Sequence, residues 1–409
     1  MSTIQFPKDF LWGAATSAYQ VEGNNYNSDW WEWEKSAGVK DLSGLACNHY
    51  ERYEEDFDLI RSLGHNCHRL SVEWSRVEPE DGVFSQKEIE HYIKVVTALK
   101  ERGIEPIVTL HHFTNPLWFS KLGGWENQDA SRCFLSYAER IVSALSGSVR
   151  YWVIINEPEV YLYYSYIIGI WPPQEKSPRK AKTVFDNLAK AHIAAYRLIH
   201  DIYKKSGLAS PFVGTAQHIR SFTLRVNNLR NRAAAAIRDR IFNRMFLNTL
   251  IRAHALDYIG LNYYTRDIVD AQSWNINSLL YDIYEENARN IKKNDLGWDI
   301  YPEGLFTSLM SLKKYRLPVF ILENGICTQN DDERWRFILS HLKKVHAAMD
   351  SGVKVIGYIY WSLMDNFEWA DGFAPCFGLI EVDYRTMKRT IRESAKKYSI
   401  VCKTGILDG

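Results

Sequence analysis

The sequence is poor in cysteine and has none in the arrangements that bind zinc or build a disulfide framework. Cys47, Cys67, Cys133, Cys327, Cys376 and Cys402 are scattered, with no C-x-x-C pair among them, which argues against a structural zinc site and a dense disulfide scaffold. An excess of charge of either sign is also missing. Fifty Lys and Arg against 49 Asp and Glu leave a formal net charge of +1, so no global field draws the chain to nucleic acid, an anionic membrane or an acidic polymer. No uninterrupted apolar stretch is long enough to cross a bilayer. The opening Met-Ser-Thr-Ile-Gln-Phe-Pro-Lys-Asp-Phe lacks the positive and apolar regions of a secretory signal. The expectation is a reduced, soluble, cytoplasmic protein with no nucleic-acid or membrane partner. Low-complexity linkers and internal repeats are absent too, so residues 1–409 are expected to form one domain.

Aromatic residues are abundant: 14 Trp, 24 Tyr and 18 Phe. Flat amphipathic rings suit sugar faces, but they also fill large cores, so composition gives carbohydrate only a weak vote. Short apolar runs alternate with longer amphipathic segments. The predicted strands are Phe10–Ala15, His68–Trp74, Ile104–Leu110, Tyr151–Asn156, Phe212–Ala216, Tyr258–Tyr264, Val319–Glu323 and Val355–Trp361. Helical patterns cover Tyr50–Leu63, Ser85–Arg102, Asp129–Leu145, Lys182–Lys205, Arg238–Arg252, Glu303–Tyr315 and Asp332–Ser351. Gly64, Gly103 and Gly352 stand where a left-handed helix cap is wanted. The alternation predicts an α/β fold, a single (β/α)₈ barrel.

Polar residues cluster at the predicted strand exits, where a barrel collects its catalytic groups. Two of them are glutamates that follow apolar runs: Glu157 in Ile-Ile-Asn-Glu-Pro and Glu323 in Phe-Ile-Leu-Glu-Asn-Gly. A pair of carboxyl groups converging at one barrel mouth is the minimal equipment for cleaving a glycosidic bond. His111–His112 and His65-x-x-His68 invite a metal reading. Neither pair has a plausible third ligand and no helical His-Glu-x-x-His occurs, so no metal or cofactor is expected.

From Phe6 to about Ile400 the chain resembles the retaining β-glycosidases of glycoside hydrolase family 1. The resemblance is carried by Phe10-Leu-Trp-Gly-Ala-Ala-Thr-Ser-Ala-Tyr-Gln20, Arg69-Leu-Ser-Val-Glu-Trp-Ser-Arg76, Thr109-Leu-His-His112 and Asn156-Glu-Pro158. It continues through Gly260-Leu-Asn-Tyr-Tyr264, Glu323-Asn-Gly325 and Tyr360-Trp-Ser-Leu-Met-Asp-Asn-Phe-Glu-Trp369. It implies a (β/α)₈ barrel, with Glu157 as general acid/base and Glu323 as nucleophile. Glu157 is then expected to have a raised pKa, through repulsion by an ionised Glu323. Tyr264 and Arg69 would hold the nucleophile, and Asn156 would bind the sugar 2-hydroxyl. Gln20, His112, Asn262, Glu368 and Trp369 would bind the sugar, with Trp361 as its platform, Trp298 on the leaving-group side and Phe377 at the rim.

The implied activity is exo-acting, retaining hydrolysis of a terminal β-glucosyl, galactosyl or fucosyl residue from a small β-glycoside or oligosaccharide. Glu368-Trp369 argues for an unphosphorylated sugar, and Glu157 argues against the thioglucosidase branch, which has Gln there. A sugar-binding pseudoenzyme and an endo-acting retaining glycanase are the alternatives. One stretch departs from the family. Arg225, Arg230, Arg232, Arg238, Arg240, Arg244 and Arg252 share it with one acid, Asp239, and the chain reaches the sixth strand early. The favoured reading is an amphipathic helix with a solvated basic face; the other is a partly uncovered barrel flank.

Overall fold

The computed structural model describes residues 3–36, 39–284 and 292–408. Eight parallel strands close into a barrel: β1 Leu11–Ala15, β2 Cys67–Ser71, β3 Glu105–His111, β4 Tyr151–Asn156, β5 Phe212–His218, β6 Ile259–Asn262, β7 Val319–Asn324 and β8 Val355–Tyr360. Each pairs with its sequence neighbours, and β8 returns to β1 through Gly357 beside Leu11 and Tyr360 beside Ala14. This is the predicted architecture.

The strands form because both of their faces are buried. Outward side chains such as Val108, Ile154, Val213 and Leu261 join the large core beneath the helices. Inward ones such as Ile107, Val153 and Phe320, with Tyr258 just ahead of β6, pack a second apolar cluster inside the barrel, which is therefore a filled core rather than a pore. Tyr258 shows how tightly it is filled. A Cβ on Gly214 would lie 2.7 Å from the Tyr258 ring, so the ring takes the space that the glycine leaves.

The surrounding helices include His49–Ser62, Gln86–Glu101, Ala130–Leu145, Pro178–Lys205, Pro302–Leu312 and Asp331–Asp350. Several start on a side-chain cap: Ser85 accepts from the amide of Glu88, Ser177 from that of Lys180 and Asn330 from that of Glu333. Gly64, Gly103 and Gly352 adopt the expected left-handed conformation after their helices.

Three expectations are corrected. β2 stops at Ser71, not Trp74, because Glu73 accepts from Ser75 and caps a short helix over Trp74–Val77. Arg69 lies at the middle of this strand. A further helix, Glu393–Thr404, completes the outer ring, and its apolar residues, Ala395, Tyr398 and Val401 among them, are interspersed with the exposed lysines Lys396 and Lys397. The helix expected at Arg238–Arg252 begins at Leu229, where Asn228 caps it, and passes through a π turn at Asp239–Arg244. Its basic face is not simply solvated: Arg238 is buried and donates to the carbonyls of Ser278, Leu279 and Asp282.

Candidate active site

The sequence ends β4 with an apolar run, Trp152-Val-Ile-Ile, then Asn156, Glu157 and Pro158. Pro158 starts a short helix at once, and Glu157 turns the corner between strand and helix with φ 42°, left-handed for a residue that has a Cβ. Its amide donates to the carbonyl of Ala216 in β5, which fixes the corner against the neighbouring strand. β7 delivers Glu323 beside Asn262 of β6, its register partner.

Both glutamates line one cavity of about 320 Å³ at the carboxyl ends of the strands, a volume suited to a small ligand. Its wall also includes Asn156, His112, Tyr264, Trp298, Trp361, Glu368, Trp369 and Phe377. The other three expected residues lie behind this wall. Gln20 is fully buried, donates to Glu368 at 3.2 Å and to Asn366 at 3.0 Å, and accepts from Ser17 at 2.6 Å. Arg69 and Asn262 connect the two glutamates to Asn156.

That connection is continuous. Arg69 donates to Glu323 Oε1 through Nη1 and to Asn156 Oδ1 through Nη2 at 2.6 Å. Tyr264 donates to Glu323 Oε2 at 2.5 Å. Asn262 Nδ2 donates to Glu157 Oε1 at 2.9 Å and lies 3.3 Å from Asn156 Oδ1. Asn156 Nδ2 is 3.2 Å from His112 Nε2, so His112 accepts there. Burial and the Arg69 charge hold His112 well below its ordinary pKa, which keeps the ring neutral and suited to that acceptor role.

Sequence reasoning missed His218. Its Nδ1 lies 2.9 Å from Glu157 Oε1, and its ring lines the cavity. The signal was present: His218 is a polar residue at the carboxyl end of β5, two positions beyond where the strand was expected to stop. Its presence opposes the upward shift expected for Glu157. Burial works to raise Glu157, but His218, Asn262 and Arg69 together outweigh it and hold the carboxyl below its usual value. Burial pushes Glu323 up to about 7, against the pull of Arg69 and Tyr264 and with the repulsion of Glu157. The two carboxyls titrate as a pair.

Glu159 was also missed. It is buried two residues beyond Glu157 and accepts from the His218 amide at 2.5 Å, while its other oxygen has no partner. Burial and the Glu157 charge raise it well above the usual carboxyl value. Glu368 is likewise pushed up to about 8, chiefly by burial and then by Asp371 and Glu323.

The aromatic wall is ordered by mutual contact. His112 stacks between Trp361 and Trp369 with centroids 6.0 Å from each. Trp369 lies parallel to Tyr19 at 5.9 Å. On the opposite side Tyr264, Trp298 and Phe377 form a mutual triangle at 5.9–6.2 Å. His111 is a packed barrel histidine, 3.1 Å from Asn115 Oδ1 and 3.3 Å from Trp125 Nε1. Among the described residues no three His, Cys, Asp or Glu side chains are grouped as a metal would require, and no helix is long and apolar enough to cross a membrane.

The family model described as glycosyl hydrolase family 1 matches residues 2–254 and 247–406. A 1,4-β-D-glucan glucohydrolase from Thermotoga neapolitana is 30% identical over 99% of this chain and 100% of its own length. The β-glycosidase from Pyrococcus horikoshii superposes with a TM-score of 0.93 at 38% identity, covering 100% of this chain and 97% of that one. The β-glucosidase from Thermotoga maritima in complex with glucoimidazole gives 0.90 at 28% identity, covering 98% and 99%.

Proposed function

The chain belongs to glycosyl hydrolase family 1 and is a β-glycosidase, and from that premise we propose an exo-acting, retaining enzyme that releases terminal β-D-glucosyl residues. Galactosyl and fucosyl glycosides are the other candidate substrates. Glu323 is the nucleophile: it attacks the anomeric carbon and forms a covalent glycosyl-enzyme. Glu157 protonates the departing oxygen, then takes a proton from the water that releases the sugar.

The observation that carries this assignment is the pair of donors on Glu323. Arg69 and Tyr264 occupy both of its oxygens. In the productive state these donors favour the carboxylate, because a protonated Glu323 would bring a further O–H to oxygens already met by donors. Glu157 meets Asn262, a donor, but also His218, whose imidazole can give or take a proton. The proton shared by the carboxyl pair then belongs on Glu157 when substrate is bound. Once Glu323 is esterified its charge is gone and Glu157 loses its proton more readily, as its second role requires.

Asn156 is assigned to the sugar 2-hydroxyl. His112, Glu368 and Trp369 bind the remaining hydroxyls, Trp361 carries the ring, and Trp298 and Phe377 flank the exit of the leaving group. Arg69, Asn262 and Gln20 act as positioning residues behind them. A cytoplasmic setting belongs to the same proposal; its support is that all six cysteines are unpaired.

A panel of 4-nitrophenyl β-glycosides ranks the sugars, and proton NMR during early hydrolysis reports stereochemistry. The β-anomer is expected first. An α-first product would remove retention, and internal cleavage of a polysaccharide with monosaccharide glycosides untouched would remove the exo assignment.

A further inference from the structure

A larger cavity, of about 610 Å³, lies in the barrel flank beside the sugar cavity and contains neither Glu157 nor Glu323. It occupies the shortened region between β5 and β6, so among the described residues the flank there is partly uncovered, contrary to the favoured sequence reading. Phe185, Phe222, Phe242 and Phe246 line its interior. Its lip is Ile241, Met245, Ile276, Tyr281 and Ile283, each between 39% and 61% exposed. An apolar rim around an apolar hollow is costly to leave in water and marks a place where a hydrophobic body sits.

The boundary with the sugar cavity is thin. Arg220 lines both cavities. Along the chain after Glu157, Glu159 and Tyr163 face the flank while Val160 and Tyr164 face the sugar. Phe242 packs edge-on against His218 at 5.8 Å.

Polarity is graded across the flank cavity. Glu159, Arg220 and Asp267 lie at or near the shared boundary, and Arg220 Nη1 donates to the Asp267 carboxylate at 3.1 and 3.2 Å. Two atoms of this group, Glu159 Oε2 and Arg220 Nε, are buried without a partner. Glu159 is more than nine-tenths buried. Farther out, the polar side chains are engaged elsewhere: Arg238 with backbone carbonyls and Lys182 with Asp186. The combination is polar next to the sugar and apolar beyond, the profile of an amphiphile with its head at the catalytic pair.

We propose that this flank cavity takes the hydrocarbon part of the aglycone of an amphiphilic β-glycoside, whose chain leaves the sugar cavity past Arg220. The proposal rests on the β-glycosidase activity and adds the class of leaving group. The chemistry is unchanged: the same C–O bond breaks, and the departing alcohol takes its proton from Glu157 and carries its tail out of the flank.

The test uses methyl, butyl, hexyl and octyl β-glycosides of the sugar that serves best in the nitrophenyl panel, below their micelle concentrations. It is run on the unaltered protein and on Ile276→Glu and Met245→Glu, both at the exposed lip. In the unaltered protein kcat/KM is expected to rise by about twofold to fourfold per added methylene, mainly through KM, until the cavity is filled. Both variants flatten that rise while hydrolysing the 4-nitrophenyl glycoside as before.

A flat series in the unaltered protein, or an undiminished rise in both variants, overturns the proposal. Turnover of the nitrophenyl glycoside in the same preparations separates either result from a failure of the glycosidase assignment. Thermal stabilisation by free octanol without any chain-length effect on KM also overturns it, since the cavity would then bind hydrocarbon independently of catalysis. A dimer in sedimentation velocity that both variants dissociate assigns the rim to a second copy, and that too overturns the proposal.

Discussion

His218 Nδ1 and Asn262 Nδ2 both lie 2.9 Å from the same oxygen of Glu157, so the acid/base is held from β5 and β6 at once. Asn262 can only donate there, whereas His218 can carry charge. Glu157 also faces Arg69, Glu159, Glu323, Tyr264 and Glu368, so its titration belongs to the group. Replacing His218 by Asn removes the imidazole that helps hold the Glu157 carboxyl below its usual value, and the Glu157 pKa should rise. The acid form then survives to higher pH, and the descending limb of kcat/KM moves up by about one unit. Because the two carboxyls titrate as a pair, a tighter hold on the Glu157 proton raises the pair's pKa values, so the ascending limb moves up as well. Both limbs of the pH profile should shift towards higher pH. Limbs in their original places would deny His218 this influence.

Tyr264 touches only one oxygen of Glu323, at 2.5 Å, and Arg69 keeps the other. Tyr264→Phe therefore leaves the nucleophile paired but loosens its aim and raises its pKa. A hydrogen bond to a charged group is worth about 1.5–3 kcal/mol, so kcat should fall by about 10- to 100-fold with little change in KM. A loss confined to KM would mean that Tyr264 binds the sugar instead of positioning the carboxylate.

The leaving group separates the two glutamates. Glu157→Gln should slow alkyl glycosides far more than 2,4-dinitrophenyl glycosides, because a good leaving group departs without a proton. Glu323→Ala should abolish turnover of both, and azide should restore it as the inverted glycosyl azide. Equal losses across leaving groups in Glu157→Gln, or undiminished activity in Glu323→Ala, would reverse the assignment.

The barrel was legible because burial on both strand faces writes continuous apolar runs into the sequence, and because capping residues punctuate the helices. The glutamate pair was legible because each follows such a run and sits in a short motif. Residues that act from behind the wall were harder to place. Gln20 and Arg69 belong to recognisable motifs, yet nothing local says that Gln20 reaches Glu368 or that Arg69 bridges β4 and β7; only closure of the barrel brings those partners together. His218 was missed because β5 runs two residues beyond its last strongly apolar position. The protonation of the pair followed, since it depends on that imidazole. The flank cavity was foreshadowed by a short, arginine-rich stretch, but a charge run cannot reveal that Arg238 turns inward to backbone carbonyls while the helix leaves its apolar neighbours exposed.

Gly325 provides a test of how the nucleophile is held in register with the sugar platform. A Cβ at this position would lie 1.8 Å from the Trp361 carbonyl oxygen and 2.8 Å from its carbon, both backbone atoms that no rotamer can move. The same two strand exits are joined by the Trp361 amide donating to the Asn324 carbonyl at 3.1 Å. Gly325→Ala must push β7 and β8 apart just where Glu323 and Trp361 leave them. The expected cost is about 1–3 kcal/mol of stability, read from the urea midpoint, together with a lower kcat in the protein that remains folded. Gly147→Ala is the matched control, because nothing lies within 4 Å of a Cβ there. If Gly325→Ala matched that control in both stability and kcat, the close approach of the two strand exits would not be what aligns the nucleophile with the platform.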